Sequence, residues 1–206
     1  MKTTIKFKRQ HLKFAKKNAW DLANEILYDL CAKFPHHKNK SEVMAKVMLI
    51  GRSYAASIER RKNKRKNYDD FYEDVVAPKL MKSKLDRYLS RLEGENRISE
   101  SNIGTILKTH KYLVDLFQSI TKLNKRSLAS KYLHFHYPNL FYLYDSRAVK
   151  SLSKFVRCKT GTDRDYDSHY ASFFKKAYEL QRYIEKKYKQ ALSPRELDKI
   201  LLWLYE

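Results

Sequence analysis

The segment 122–149, KLNKRSLASKYLHFHYPNLFYLYDSRAV, holds the side chains whose types and spacing best fit chemistry. Asp145 follows a short apolar strip and precedes a helical pattern, so its carboxylate is expected at a helix N-terminus, where unpaired backbone N–H groups favour the charged form. The same position suits an ordinary N-cap. Lys131 stands one helical turn beyond Ser127 and on the same face. An amine attacks carbon only when neutral, and a neutral Lys131 requires burial or a cationic neighbour such as Arg147. The bland alternative is a solvated or phosphate-contacting lysine. His134 and His136 are two residues apart and point to different faces of a helix, so no metal site is expected from them. Tyr142 and Tyr144 alternate along the strip and share a side, where they can stack on a planar ligand or fill a core. The earlier run Gly51-Arg52-Ser53-Tyr54 supplies Arg52 and Tyr54 as candidates for a pocket wall.

The elements that must position these groups are helices. Apolar residues recur at helical spacing along the chain, as in Ile103, Ile106, Leu107, Leu113, Val114, Phe117 and Ile120. The pattern predicts an all-α fold with helices over 10–34, 41–62, 68–76, 78–93, 100–121, 127–137, 146–157, 168–191 and 194–205. The last is the best signalled, with Ser193 as N-cap, Pro194 in the first helical position and Glu196 closing a capping box. Pro138 ends the 127–137 helix, and an extended strip, FYLY, then leads to Asp145. No repeat is evident. One domain over 1–206 is expected, with possible lobes at 1–95 and 96–206.

Charge narrows the partner. The 206 residues carry 44 Lys and Arg against 23 Asp and Glu, a net charge of +21 that is tolerable in a compact state when an anionic partner neutralises it. The first twenty residues reach Asp21 before meeting an acid, and 60–66 reads RRKNKRK. Either run alone fits a solvated face; together with the total they favour phosphate binding. Four Gly and four Pro argue against a Gly-rich phosphate loop and hence against Walker or Rossmann nucleotide enzymes. Cys31 and Cys158 have no CxxC companion and read as reduced cytosolic thiols. The basic N-terminus lacks an apolar signal core, and no apolar run reaches the length of a membrane span. A cytoplasmic, nucleoid-associated monomer without membrane contact, metal or cofactor is expected.

The 122–149 segment resembles the helix-hairpin-helix superfamily of DNA base-excision glycosylases. Arg126-Ser127-x-Ala129 falls on the end of that family's hairpin motif, and Leu140-Phe141-Tyr142-Leu143-Tyr144-Asp145 falls on the strip that ends in its catalytic aspartate. The sequence ASKYLHFHYPNLF, with YDSRA after it and IGRSYAASIER at 50–60, is similar to bacterial proteins related to 8-oxoguanine glycosylases. The resemblance implies a two-lobed helical bundle that binds double-stranded DNA carrying a damaged or modified base and flips that base out. Asp145 would then stabilise positive charge developing on the deoxyribose. Strand-cleaving members carry a nucleophilic lysine where Arg126 or Ser127 stands here, and Lys131 is one turn further on, so a water-dependent hydrolase and a lysine-dependent lyase both stay open. The implied base pocket comprises His134, His136, Tyr142, Tyr144, Arg52 and Tyr54. The implied DNA contacts are Lys122, Asn124, Lys125, Arg126, Ser127, Ser130 and Arg147, with Arg60, Arg61 and Lys64 from the basic run. Leu123, Asn124 and Lys125 replace the family's hairpin glycines. The sequence does not read which base is excised; the resemblance implies a damaged base such as an oxidised purine in repair, or a modified base of foreign DNA such as a phage's in defence.

Two other classes compete. Arg164 and His169 have the Arg–His spacing of all-α HEPN ribonucleases, although on an acid-rich segment with Asp163, Asp165 and Asp167. A non-catalytic DNA-binding protein needs only the charge and the helices.

Overall fold

The computed structural model describes residues 3–16, 19, 21–62, 68–158 and 164–205, so Lys64 of the expected DNA contacts lies outside the described residues. The described chain is mostly helical, with one two-stranded sheet. A 3₁₀ segment over Arg9–Ala15 precedes α1 (Asp21–Lys33) and α2 (Lys40–Ser53). Then come α3 (Tyr68–Phe71), α4 (Ala77–Met81), α5 (Leu85–Leu89), α6 (Ile103–Thr121) and α7 (Arg126–His136). The chain finishes with α8 (Ser146–Phe155), α9 (Ser168–Tyr188) and α10 (Pro194–Trp203). Strand β1 (Thr4–Ile5) pairs antiparallel with β2 (Val156–Arg157), Thr4 opposite Arg157.

Helix α7 is the axis of the molecule. Every residue from Leu128 to Phe135 is buried, so it is enclosed on all sides, with α1, α2 and α6 packed around it. The stripe read from sequence on α6 is the one that packs: Ile106, Leu113, Val114 and Phe117 are at most 1% exposed. Helix α2 meets α7 closely at Gly51, where an added Cβ would lie 3.3 Å from Ser57 Cα and 3.5 Å from the Leu128 side chain. A Cβ there would be tight against the Ser57 backbone, and the chain turns back at once, with Ala55 at φ 50° and Ala56 N–H donating to Gly51 O. This turn stops α2 at Ser53, well short of the expected 62.

Other boundaries also moved. The expected helix 10–34 is a 3₁₀ segment followed by a separate α1. Between α3 and α4 the residues Tyr72–Val76 form a π turn, with Ala77 N–H bonded to Tyr72 O. Widening the helix there lets it run on through Pro78, which in a regular α-helix would collide with the carbonyl four residues back. The break expected before 78 therefore comes at 82–84 instead. Helix α8 ends at Phe155 because Val156 and Arg157 are taken by the sheet. Helix α10 opens as expected, with Ser193 Oγ accepting from Glu196 N–H and the Glu196 carboxylate accepting from Ser193 N–H.

Candidate active site

The site is assembled from α7, the extended strip 140–144 and the start of α8. Among the described residues the strip has no strand partner, so its backbone groups need other hydrogen bonds. Side chains supply them. Ser130 Oγ accepts from Tyr144 N–H at 3.0 Å, the His134 ring bonds Phe141 O at 2.8 Å through Nδ1, and Tyr170 O–H donates to Tyr142 O at 3.1 Å. With Nδ1 donating, His134 Nε2 is left to accept from Tyr28 O–H at 2.7 Å. Complete burial keeps this imidazole neutral, its pKa pushed down to about 3. Ser130 and His134 thus clamp the strip that delivers Asp145. Neither is free for the DNA or base contact expected of it.

Asp145 caps α8 in extended geometry, φ −150° and ψ 171°, with Oδ1 accepting from Ala148 N–H at 2.8 Å. It is half-buried. Lys131 is 3% exposed, and its amine donates to Ser127 Oγ at 2.7 Å and to Tyr144 O at 3.2 Å, with the Tyr54 ring centre 5.7 Å away. Among the described residues these are its polar partners. Burial lowers the pKa of this amine; the negative charges of Asp145 and Asp198 oppose the shift, and Arg147 adds to it. The lysine therefore senses both carboxylates. An amine held by a hydroxyl and a carbonyl keeps access to its neutral form more readily than one bonded to a carboxylate.

Sequence reasoning missed a second layer, contributed by α10. Asp198 is 4% exposed; its Oδ2 accepts from Arg195 Nη1 at 2.6 Å, while Oδ1 has no hydrogen-bond partner among the described residues, nor has Arg195 Nε. Burial raises the Asp198 acid to about 6, against the pull of Arg195 and with a push from Asp145. Tyr54 O–H donates to Asn24 Oδ1 at 2.5 Å, and Lys199 on α10 bonds Asp21 Oδ2 at 2.8 Å. A signal for Asp198 existed. It occupies a place on the apolar stripe of α10 formed by Pro194, Leu197 and Leu201, where an acid is out of pattern.

Several expected site residues lie elsewhere. Tyr142 is in the core, its ring edge-on to Phe174 and its hydroxyl bonded to Gln181. His136 is half-buried between His37 and Tyr132, beside the chain of hydrogen bonds that links Asp86, His37 and Tyr132. Arg52 pairs with Glu59 at 2.9 Å. Tyr144 meets Phe173 and the Arg126 guanidinium with its ring and serves Lys131 only through its carbonyl.

The hairpin cations also turn inward. Lys125 donates to Ser57 O at 2.7 Å, and burial lowers its amine to about 8. Arg126 forms a two-pronged ion pair with Asp167, at 2.5 and 2.8 Å. Arg61 is buried, its guanidinium 3.8 Å from the Phe71 ring centre. Lys125, Arg126 and Arg61 are thus corrected from phosphate contacts to internal braces. Lys122, in left-handed geometry at φ 59°, and Asn124, Arg60 and Arg147 are exposed. Arg164 and His169 are exposed as well.

Among the described residues no group of three His, Cys, Asp or Glu side chains is placed to hold a metal ion, and no helix is long and apolar enough to cross a membrane. Comparison with protein-family models, curated proteins and solved structures finds no match.

Proposed function

We propose that the chain is a DNA glycosylase in which Lys131 attacks C1′ of a flipped-out deoxynucleotide while Asp145 stabilises the positive charge that develops on the sugar. The observation that carries this reading is the placement of Lys131: a buried amine, held by Ser127 Oγ and by the carbonyl of Tyr144, the residue that precedes the Asp145 cap of α8, and sensing the Asp145 charge. The resemblance of 122–149 to helix-hairpin-helix glycosylases supports it, and so does the net charge of +21. The finer architecture proposed with it has lobes at 1–95 and 96–206 bordering the DNA.

In the first step the neutral Lys131 Nζ lone pair bonds to C1′, the C1′–N bond breaks, and the base leaves with the bonding pair and takes up a proton. Nζ gives up one proton, so the charge balances. Cleavage of the C1′–O4′ bond, with a proton delivered to O4′, then leaves a protonated imine on Lys131. Water hydrolyses this imine, or loss of the C2′ proton forms a C2′–C3′ double bond, breaks C3′–O3′ and expels the 3′ phosphate with the bonding pair, which cleaves the strand. Asp145 acts on the transition state because the sugar is neutral before bond cleavage and cationic during it.

The test uses an oligonucleotide with one abasic site and borohydride, which reduces the imine to a stable secondary amine. A covalent adduct with the wild type, absent in Lys131→Ala, is expected. No adduct, or one that persists in Lys131→Ala, overturns the lysine mechanism. Screening free-base release from oxidised, alkylated and phage-modified DNA identifies the substrate; release of none overturns the glycosylase reading.

A further inference from the structure

The inward turn of the hairpin cations leaves open how the chain grips a polyanion. A different surface meets that need. On α8, Arg147, Lys150 and Lys154 recur at intervals of three and four residues, and all three are exposed. Such spacing places them on one helix face, about 10 Å from first to last at ~1.5 Å per residue. The row starts two residues beyond Asp145. At its far end the ring of Tyr205, 36% exposed, lies 6.0 Å from both the Lys150 and the Lys154 amines.

The 3₁₀ segment Arg9–Ala15 extends this face. It packs on α10, with Phe14 stacked on Trp203 at 4.9 Å and an interplanar angle of 13°, and it touches the end of α8 through His11 and Phe155. Trp203 remains 56% exposed, and Arg9, Lys13 and Lys16 are exposed beside it. Residues 9–16, 146–155 and 199–205 contain no Asp or Glu. Segments that carry cations and accessible aromatic rings without carboxylates of their own are poorly suited to a protein partner, whose rims carry both signs. They suit a nucleic-acid strand, with phosphates on the cations and bases on the rings.

We infer that the strand bearing the target nucleotide runs along the exposed face of α8, its phosphates on Arg147, Lys150 and Lys154, and that Tyr205 and Trp203 stack on bases unpaired beside the target. The inference rests on the reading of the chain as one that acts on DNA. It assigns the grip to α8, the 3₁₀ segment and the end of α10, in place of the hairpin.

The test is fluorescence anisotropy of the full chain with a labelled 20-nucleotide oligonucleotide, single-stranded and in duplex, over a series of salt concentrations. Every phosphate that a variant no longer neutralises reduces the slope of log affinity against log salt by about 0.7 for a single strand and about 0.9 for a duplex. Lys150→Ala/Lys154→Ala is expected to reduce it by about 1.4 and 1.8, twice those values. Lys79→Ala/Lys82→Ala, which removes two lysines of the α4 region packed on α2, is expected to leave it unchanged. Trp203→Ala is expected to weaken the single strand more than the duplex at constant slope.

An unchanged slope in Lys150→Ala/Lys154→Ala, or an equal fall in Lys79→Ala/Lys82→Ala, overturns the assignment. So does binding to vesicles of phosphatidylserine but to neither oligonucleotide. Borohydride trapping and the free-base screen separate the two readings: an adduct with unchanged slopes leaves the glycosylase standing and removes the surface, whereas reduced slopes with neither adduct nor released base keep the surface and remove the glycosylase.

Discussion

Replacing Asp145 by asparagine separates the two roles of that carboxylate. As an N-cap it accepts one hydrogen bond, from Ala148 N–H at 2.8 Å, and asparagine caps about as well as aspartate, so Asp145→Asn should alter stability by only a few tenths of a kcal/mol. Asp145→Ala removes the cap and should cost about 1 kcal/mol, or about 2–4 °C in a chain of this size. The charge matters on a different scale. At half-buried sites an effective dielectric of about 20 applies, so a carboxylate about 4 Å from a full positive charge contributes ~4 kcal/mol, roughly a thousandfold in rate. The assay is single-turnover release from the oligonucleotide whose base the wild type excises. Asp145→Asn should lose ~10³-fold while melting normally. It should also shift the acidic limb of the pH–trapping profile to lower pH, because the Asp145 charge raises the Lys131 pKa and its removal lets the amine become neutral sooner. A rate loss under about tenfold, or an unmoved limb, refutes the electrostatic role and leaves Asp145 as a cap alone.

Arg126→Ala breaks the buried pair with Asp167 and should cost about 3–5 kcal/mol by chemical denaturation, while the salt dependence of DNA binding stays that of the wild type; a reduced slope would make Arg126 a phosphate contact after all. Arg126 also lowers the Asp167 pKa. The stability this gives is fully present above the unfolded carboxylate value near pH 4 and lost below it, so the deficit of Arg126→Ala should narrow in acid. Asp198→Asn has the opposite pH signature. Its acid rises from 3.8 to about 6 on folding, the folded state holds the proton longer, and wild-type stability falls as pH rises between about 4 and 6. Asp198→Asn should therefore gain on the wild type by up to about 3 kcal/mol across that window, and a gap independent of pH rules this out. Lys131→Met exchanges a buried amine for apolar volume and should be as stable as the wild type or about 1 kcal/mol more so. A loss of about 2 kcal/mol or more would mark the amine as structural.

Local patterns were legible in the sequence where their causes are local. The α10 capping box, the bounds of α7 and the capping position of Asp145 follow from residues at most four apart. The boundaries that shifted depend on distant partners. Helix α2 stops at the turn through Ala55, which seats Ser57 against Gly51 beside Leu128 of α7, and α8 yields its last residues to a strand more than 150 positions earlier in the chain. The cations of the hairpin read as exposed because nothing near them in sequence is acidic. Their partners are Ser57 and Asp167, 68 and 41 positions away. Asp198 needed only the helical pattern, and an acid set into the apolar stripe of α10 is visible in retrospect.

The polar residues of α7 explain why the candidate nucleophile stands out from its surroundings. Ser127, Ser130, Lys131 and His134 follow the i, i+3, i+4, i+7 spacing of a single helix face, a face that a helix enclosed on all sides would ordinarily fill with hydrocarbon. Ser130 and His134 are accounted for by the backbone of the 140–144 strip, which they bond at the Tyr144 amide and the Phe141 carbonyl. Lys131 is not accounted for in that way. Its bond to Tyr144 O is the longest of the three contacts from this face to the strip, at 3.2 Å, and its other partner is a serine of its own stripe. A neutral donor could serve that carbonyl without the cost of burying a cation, which in protein interiors amounts to several kcal/mol. The clamp residues fix Asp145 in place, and the residue that the clamp does not need is the one set beside it.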